Sequence, residues 1–189
     1  MKDILYYAQL LAESVVAVFG VRPYEEPRYA LLATAPNRVE IRRYAERVAA
    51  EASAPGEGKQ ARDQAFRTLF RYIAGREKVA MTTPVATQAA ADGVRMRFFL
   101  PERYTAQSAP APADARVRIV ALPAQTLATL RFSGDALPAE VARREAELLA
   151  ALDAGPWQAS AAPVLLVYDP PFTLPFLRRN EIAIEVERR

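Results

Sequence analysis

FRTLFRYIAG, residues 66–75, followed two residues later by KVAMTTPV, residues 78–85, decides how this chain is to be read. Phe66, Leu69, Phe70 and Ile73 recur at i, i+3, i+4 and i+7, the period of one helix face, while Arg62, Asp63, Arg67 and Arg71 take the other positions. The spacing predicts a helix over 59–74, ended by Gly75. After it the pattern turns to strand: 78–87 and 94–100 are β-rich runs parted by the hairpin signal Asp92-Gly93.

Upstream, 29–34 and 38–44 read as strands separated by the turn residues Pro36-Asn37, and 47–53 as a third strand that runs out in Pro55-Gly56-Glu57-Gly58. Within 38–44, Val39, Ile41 and Arg43 face one side, and Glu40, Arg42 and Tyr44 the other. Charge therefore falls on both faces, and the strand belongs at an edge or around a barrel. Downstream, the Pro/Ala/Ser-rich stretch 101–112 reads as a crossover, after which the outline repeats. Strands at 116–121 and 126–133 precede a helix at 138–152, which starts on Pro138, carries Val141, Leu148, Leu149 and Leu152, and stops before Gly155-Pro156. Strands at 163–168 and 181–187 bracket Asp169-Pro170-Pro171-Phe172. The pattern is α+β with one helix per half, and the weak internal repeat implies two pseudo-symmetric modules sharing one curved sheet or barrel.

The apolar stretch 4–21 reads as a helix capped near Gly20. Leu5, Ala8, Leu11, Ala12, Val15, Val18 and Phe19 form a broad apolar face that suits docking on its own domain, on a partner or on a membrane surface. Gln9, Glu13 and Ser14 interrupt it, and no small-residue cleavage site follows. The expected organisation is an N-terminal apolar helix over 1–22 and one domain over 23–189. A cytoplasmic location is expected, with membrane association or export through the apolar segment as the alternative.

Composition bounds the chemistry. At 189 residues and 51% apolar the chain can bury a full core without a disulfide or metal. It has no Cys and no His, which excludes thiolate nucleophiles, Ser-His-Asp and Cys-His pairs, ordinary zinc sites and an imidazole buffer. The net charge is +3, and the basic pairs Arg42-Arg43, Arg143-Arg144 and Arg178-Arg179 are scattered among Glu, unlike the one-sided basic face of a nucleic-acid binder. Glu25-Glu26 and the Glu145/Glu147 pair have no partner group for acid–base work, and among 7 Gly there is no phosphate-cradling loop. The reading is a non-catalytic binding protein.

Several stretches together resemble the SOUL/heme-binding protein family. Glu25-Glu26-Pro27-x-Tyr29 is similar to the family's opening segment, and Val39-Glu40-Ile41-Arg42-Arg43-Tyr44 to its "yEiRrY" strand. The run from Phe66 to Gly75 followed by Lys78-Val79-Ala80-Met81-Thr82-Thr83-Pro84-Val85 resembles its helix and "MTxPV" strand. Tyr168-Asp169-Pro170-Pro171-Phe172 and Phe176-Leu177-Arg178-Arg179-Asn180-Glu181 resemble its C-terminal "YdPPf…RRNEv" signature. The resemblance implies a distorted β-barrel or twisted antiparallel sheet carrying two helices, a fold shared with bacterial multidrug-sensing effector domains. It also implies reversible binding of heme or another tetrapyrrole in a shallow apolar groove beside the first helix, with basic side chains at the propionates. A histidine ligand is impossible in this chain, so any axial ligand has to be Tyr, Met or Lys.

A tetrapyrrole offers a flat apolar face and two carboxylates at one edge, so its binder needs aromatic area and a cation at the rim. The candidate cofactor-binding residues are Phe66, Arg67, Phe70, Arg71, Met81, Tyr168 and Phe172. Phe66 and Leu69 also suit the core, Phe70 is shared between the two roles, and Met81 is expected in the core unless it ligates iron. The Asp169–Phe172 loop is expected to overhang the groove and bring Tyr168 or Phe172 to the ligand. Arg178-Arg179-Asn180-Glu181 is read as a polar clamp holding the last strand against Glu40 or Arg42. The alternatives are a carrier or sensor of other flat amphiphiles, or a protein-interaction module.

Overall fold

The computed structural model describes Gly20 and residues 24–153 and 155–189. The helix expected over 1–22, with the membrane or export roles attached to it, lies outside the described residues apart from Gly20. Among the described residues no helix is long and apolar enough to cross a membrane.

The strands are β1 (Tyr29–Ala35), β2 (Val39–Tyr44), β3 (Arg47–Pro55), β4 (Val85–Ala90), β5 (Gly93–Phe99), β6 (Val117–Leu122), β7 (Gln125–Phe132), β8 (Trp157–Ala159), β9 (Val164–Val167) and β10 (Asn180–Arg188). Two helices, α1 (Gly58–Ile73) and α2 (Pro138–Asp153), complete the fold. The strands form one curled antiparallel sheet in the order β1-β2-β7-β10-β9-β4-β5-β3-β6, with β8 added on β10.

The internal repeat is real, and its halves exchange strands. The first unit runs β2-β3-α1-β4-β5 and the second β6-β7-α2-β9-β10, yet β2 pairs with β7 of the second unit and β6 with β3 of the first. The halves meet at the centre, where Val85, Ala86 and Thr87 of β4 pair with Val167, Leu166 and Leu165 of β9. Each half therefore lacks an outer strand until the other supplies it, which makes the sheet one cooperative unit.

Both helices pack on the same face of the sheet. Ala61, Ala65, Leu69 and Ile73 of α1 share a buried cluster with Ala50, Ala52 and Ala54 of β3 and Met96 and Phe98 of β5. Small side chains on both sides let the helix approach the strands closely, so Leu69 and Phe98 fill what remains. Leu148, Ala151 and Leu152 of α2 pack on Val39, Ile41, Ala128, Leu130, Ile182 and Ile184. A third cluster, Ala49, Ala86, Phe99, Leu166, Tyr168 and Ala183, lies on the helix-free face.

Both helices fall where the periodicity puts them, within a residue or two. Gly75 ends α1 by close approach: a Cβ there would lie 3.2 Å from the Arg71 and Tyr72 carbonyl oxygens. The strand expected at 78–87 forms only from Val85. Pro84 has no N–H for a ladder. Before it Val79 is buried in the first core, and the Thr83 amide donates to the Glu25 carbonyl at 3.0 Å. The strand expected from 38 starts at Val39, because Asn37 and Arg38 turn through left-handed φ values of 58° and 60°. β2 alternates as read, but it is one strand in from the edge, since β1 pairs along its outer side. The short β8 was not legible as a strand. The Pro-rich stretch does serve as the crossover, held by the Tyr72 hydroxyl donating to the Pro110 carbonyl at 2.9 Å.

Candidate functional site

Residues 61, 65, 69 and 73 form the inward row of α1, and Phe66 and Phe70 each sit one residue, about 100°, around the helix from it. That rotation brings both rings to the surface. Phe66 is 38% exposed and Phe70 51%, and they stack 6.0 Å apart at an interplanar angle of 14°. Phe66 also meets the buried Phe98 ring edge-on at 5.2 Å, so the platform is anchored in the core at one end and open at the other. This corrects the expectation that Phe66 joins Leu69 in the core. Leu69 is fully buried, and the inward row next to Phe66 is taken by Ala65.

Arg67 and Arg71 are exposed beside the rings, and among the described residues neither has a carboxylate within salt-bridge distance. Arg62 lies one turn before Phe66 on the same stripe and lines a cleft of about 720 Å³. The cleft opens between the N-terminal halves of the two helices, with Val141, Ala142 and Glu145 of α2 opposite and Thr87 and Leu165 of the central strands beneath. Its volume is within the roughly 300–1,000 Å³ of small-molecule sites. Met81 is partly buried against the first core. Among the described residues no cluster of His, Cys, Asp or Glu is arranged to hold a metal ion. The exposed ring pair with Arg67 and Arg71 beside it fits a flat apolar ligand carrying anionic groups at its edge.

The other two candidates fall elsewhere. Tyr168 is buried on the helix-free face, with the whole sheet between it and α1. Phe172 is 52% exposed on the loop between β9 and β10, with no ring contact to Phe66 or Phe70 among the described residues. The expectation that Tyr168 overhangs the groove beside α1 is thus corrected. Its position in β-type alternation, next to Val167, sends it to the opposite face.

What Tyr168 joins is a buried charge network that sequence reading only outlined. Glu181, fully buried, accepts from Arg42 Nη1 at 2.7 Å and Nη2 at 3.1 Å, from Arg179 Nε at 3.0 Å and Nη2 at 2.9 Å, and from the Tyr168 hydroxyl at 2.8 Å. Arg42 Nε also donates to Glu40 at 2.7 Å, and Arg179 Nη1 to Glu26 at 2.9 Å. Burial pushes the Glu181 carboxyl up, but the hydrogen bonds and charges of Arg42 and Arg179 outweigh it and hold it below the usual range. Burial, with the Glu181 charge beside it, drives the Tyr168 phenol well above its ordinary value. The polar clamp is therefore structural: it ties β2 to β10 and fixes the segment before β1 through Glu26. Asn180 completes it by donating to the Gly134 carbonyl at 2.9 Å.

Comparison with solved structures shows the same fold. The C-terminal domain of EcmrR has a TM-score of 0.63 at 10% identity, covering 80% of this chain and 98% of that one. EcmrR in its DNA complex has a TM-score of 0.60 at 11% identity over 99% of this chain and 64% of that one. A hydrolase from Listeria innocua has a TM-score of 0.52 at 12% identity over 93% of this chain and 98% of that one. At such identities the likeness is one of fold, not of activity. No curated protein matches the sequence. The profile described as SOUL heme-binding protein matches residues 24–185, spanning both modules, the α1 stripe and the Glu181 clamp. On that match the chain belongs to the SOUL heme-binding protein family.

Proposed function

We propose that the protein holds heme or a related tetrapyrrole reversibly, without turnover, against the outer stripe of α1. The observation that carries the reading is the exposed, stacked Phe66–Phe70 pair flanked by Arg67 and Arg71. An apolar macrocycle gains by covering rings that otherwise face water, and its carboxylates are complementary to guanidinium groups that among the described residues are not in salt bridges, Arg71 having only the more distant charge of Asp114 beside it. Arg62 extends the same edge toward the cleft between the helices. A bound heme would supply its iron centre. The chain's own part is to stack, orient and shield the ring, with Met81, a Tyr or Lys78 as the only ligand types it offers. The family is one of heme binders, which agrees with binding rather than catalysis.

Titrating the apo-protein with hemin and with metal-free protoporphyrin, followed at the Soret band, tests this. Both are expected to bind saturably. Phe70 is 51% exposed, so Phe70→Ala forfeits roughly 0.8–1.5 kcal/mol of apolar contact, hence about a 4- to 12-fold weaker Kd. Arg71→Glu is expected to weaken both ligands about tenfold or more. Planar dyes without carboxylates that bind as tightly as hemin would instead make this a carrier of flat amphiphiles in general. Absence of saturable binding to either porphyrin would sink the proposal.

A further inference from the structure

The helix-free face holds a second cavity, of about 110 Å³, walled by Tyr44, Phe99, Leu127, Leu166 and Tyr168 with Arg47 among them. It is far too small for a tetrapyrrole, and the sheet separates it from the α1 stripe. Its volume is close to that of the roughly 150 Å³ apolar cavity that accepts benzene in an engineered protein. Unlike such a cavity it is lined by charged groups as well, Arg47 and Arg97 together with Glu26 and Glu185.

Arg47 lies 4.3 Å from the Tyr44 ring centroid and 5.1 Å from that of Phe99. Its Nη2 donates to Gln125 Oε1 at 2.8 Å, while its buried Nε has no acceptor. Among the described residues no carboxylate lies within salt-bridge distance of it, whereas the neighbouring charges are engaged. Arg97 donates to Glu51 at 2.7 Å, Glu26 accepts from Arg179 at 2.9 Å, and Glu185 accepts from Gln125 Nε2 at 2.9 Å. Burial pulls the Arg47 guanidinium below its ordinary pKa. Arg47 is half-buried and feels the Glu185 charge only across Gln125, so its buried Nε lacks a direct acceptor, and a carboxylate is the best-matched partner for a guanidinium.

We propose that this cavity binds a small organic monocarboxylate with an aromatic or branched apolar body, its carboxylate accepting from Arg47 and its body lying against Leu127, Leu166 and Tyr168. Glu185, one glutamine away from Arg47, selects against a second negative group on the ligand. The site is independent of the tetrapyrrole reading, because its contacts, Arg47, Leu127, Leu166 and Tyr168, lie on the other face, and only the rim residues Gln88 and Ala162 also border the cleft between the helices.

Benzoate titrated into the full chain by calorimetry is the test, with benzamide as the neutral isostere and benzamidine as the cation. Benzoate is expected to bind saturably and at least about tenfold more tightly than benzamide. Arg47→Gln is expected to abolish that preference. Ala161→Trp, on the exposed rim of the cavity and outside the cleft between the helices, is expected to block entry while leaving the buried walls intact. Hemin titration of both variants, together with their circular dichroism, reports whether the fold and the α1 site survive. Benzoate binding unchanged by either variant, equal binding of benzamide, or preference for benzamidine would overturn the proposal. So would competition between benzoate and hemin. Weakened hemin binding in Phe70→Ala with benzoate binding retained keeps the two readings separable.

Discussion

Replacing Glu181 by Ala removes the acceptor that Arg42, Arg179 and Tyr168 share. Arg42, 4% exposed, would keep Glu40, a 3.4 Å contact to the Tyr44 hydroxyl and the Tyr29 ring at 4.4 Å, and the Tyr168 hydroxyl would lose the carboxylate it donates to. Removing one member of a buried ion pair costs about 3–5 kcal/mol, because the charge left behind stays desolvated. For a chain of this size each kcal/mol shifts Tm by roughly 2–4 °C, so a loss near 4 kcal/mol predicts a fall of about 8–16 °C. Urea unfolding of Glu181→Ala, Arg42→Met and the double variant Arg42→Met/Glu181→Ala forms the assay. The double variant should cost less than the sum of the singles by about 1–3 kcal/mol, since Arg42 is then not left as an unpaired buried charge and Arg179 keeps Glu26. The pH dependence has a defined sign. The folded carboxyl titrates below its unfolded value of roughly 4.3, so its contribution is complete above that pH and is lost as pH falls through the lower folded value. The gap in urea midpoint between the natural chain and Glu181→Gln should therefore be constant from about pH 7 to 5 and narrow at lower pH. A cost for Glu181→Ala below about 1 kcal/mol at pH 7, or strict additivity with Arg42→Met, would refute the clamp as a coupled unit.

Two neighbouring positions on α1 should behave oppositely. Leu69→Ala, in the fully buried row, is expected to cost about 2–5 kcal/mol in urea unfolding, whereas Phe70→Ala, half in solvent, should cost under about 1.5 kcal/mol while weakening hemin. Gly93→Ala is expected to destabilise the junction of β5 with β3. Its φ is +148° and a Cβ would lie 2.2 Å from the Ala54 carbonyl oxygen, so a loss above about 1 kcal/mol is expected by thermal unfolding, and a neutral variant would contradict the geometry.

Hairpin chemistry, helix periodicity and the family motifs were legible because each is written in residues close together in the chain. Asp92-Gly93 did mark the turn between β4 and β5, and Pro138 did open α2. The site was legible only in part. The α1 pattern named Phe66, Phe70, Arg67 and Arg71, but an apolar helical stripe of Phe and Leu with Ala between does not say which row faces the sheet. That choice depends on the Ala-rich surface of β3, which accepts Ala61 and Ala65 at close range and leaves the phenyl rings outside. Tyr168 was assigned to the wrong face for a similar reason: its motif gives its neighbours in the chain, not the side of the sheet that β9 presents once it lies between β10 and β4.

Sequence alone determined the α+β class, the paired modules, the family, and the absence of any imidazole or thiol chemistry. Tertiary structure decided the strand exchange, in which β2 and β6 complete the opposite halves, and it decided where charge goes. Arg42 and Glu181 are 139 residues apart, and Arg47 and Gln125 are 78 apart. Local propensity has no means of pairing such groups. Their partners are set when the curled sheet closes and desolvation leaves a charge either matched by ion pairs, as Glu181 is, or held by a neutral amide, as Arg47 is by Gln125.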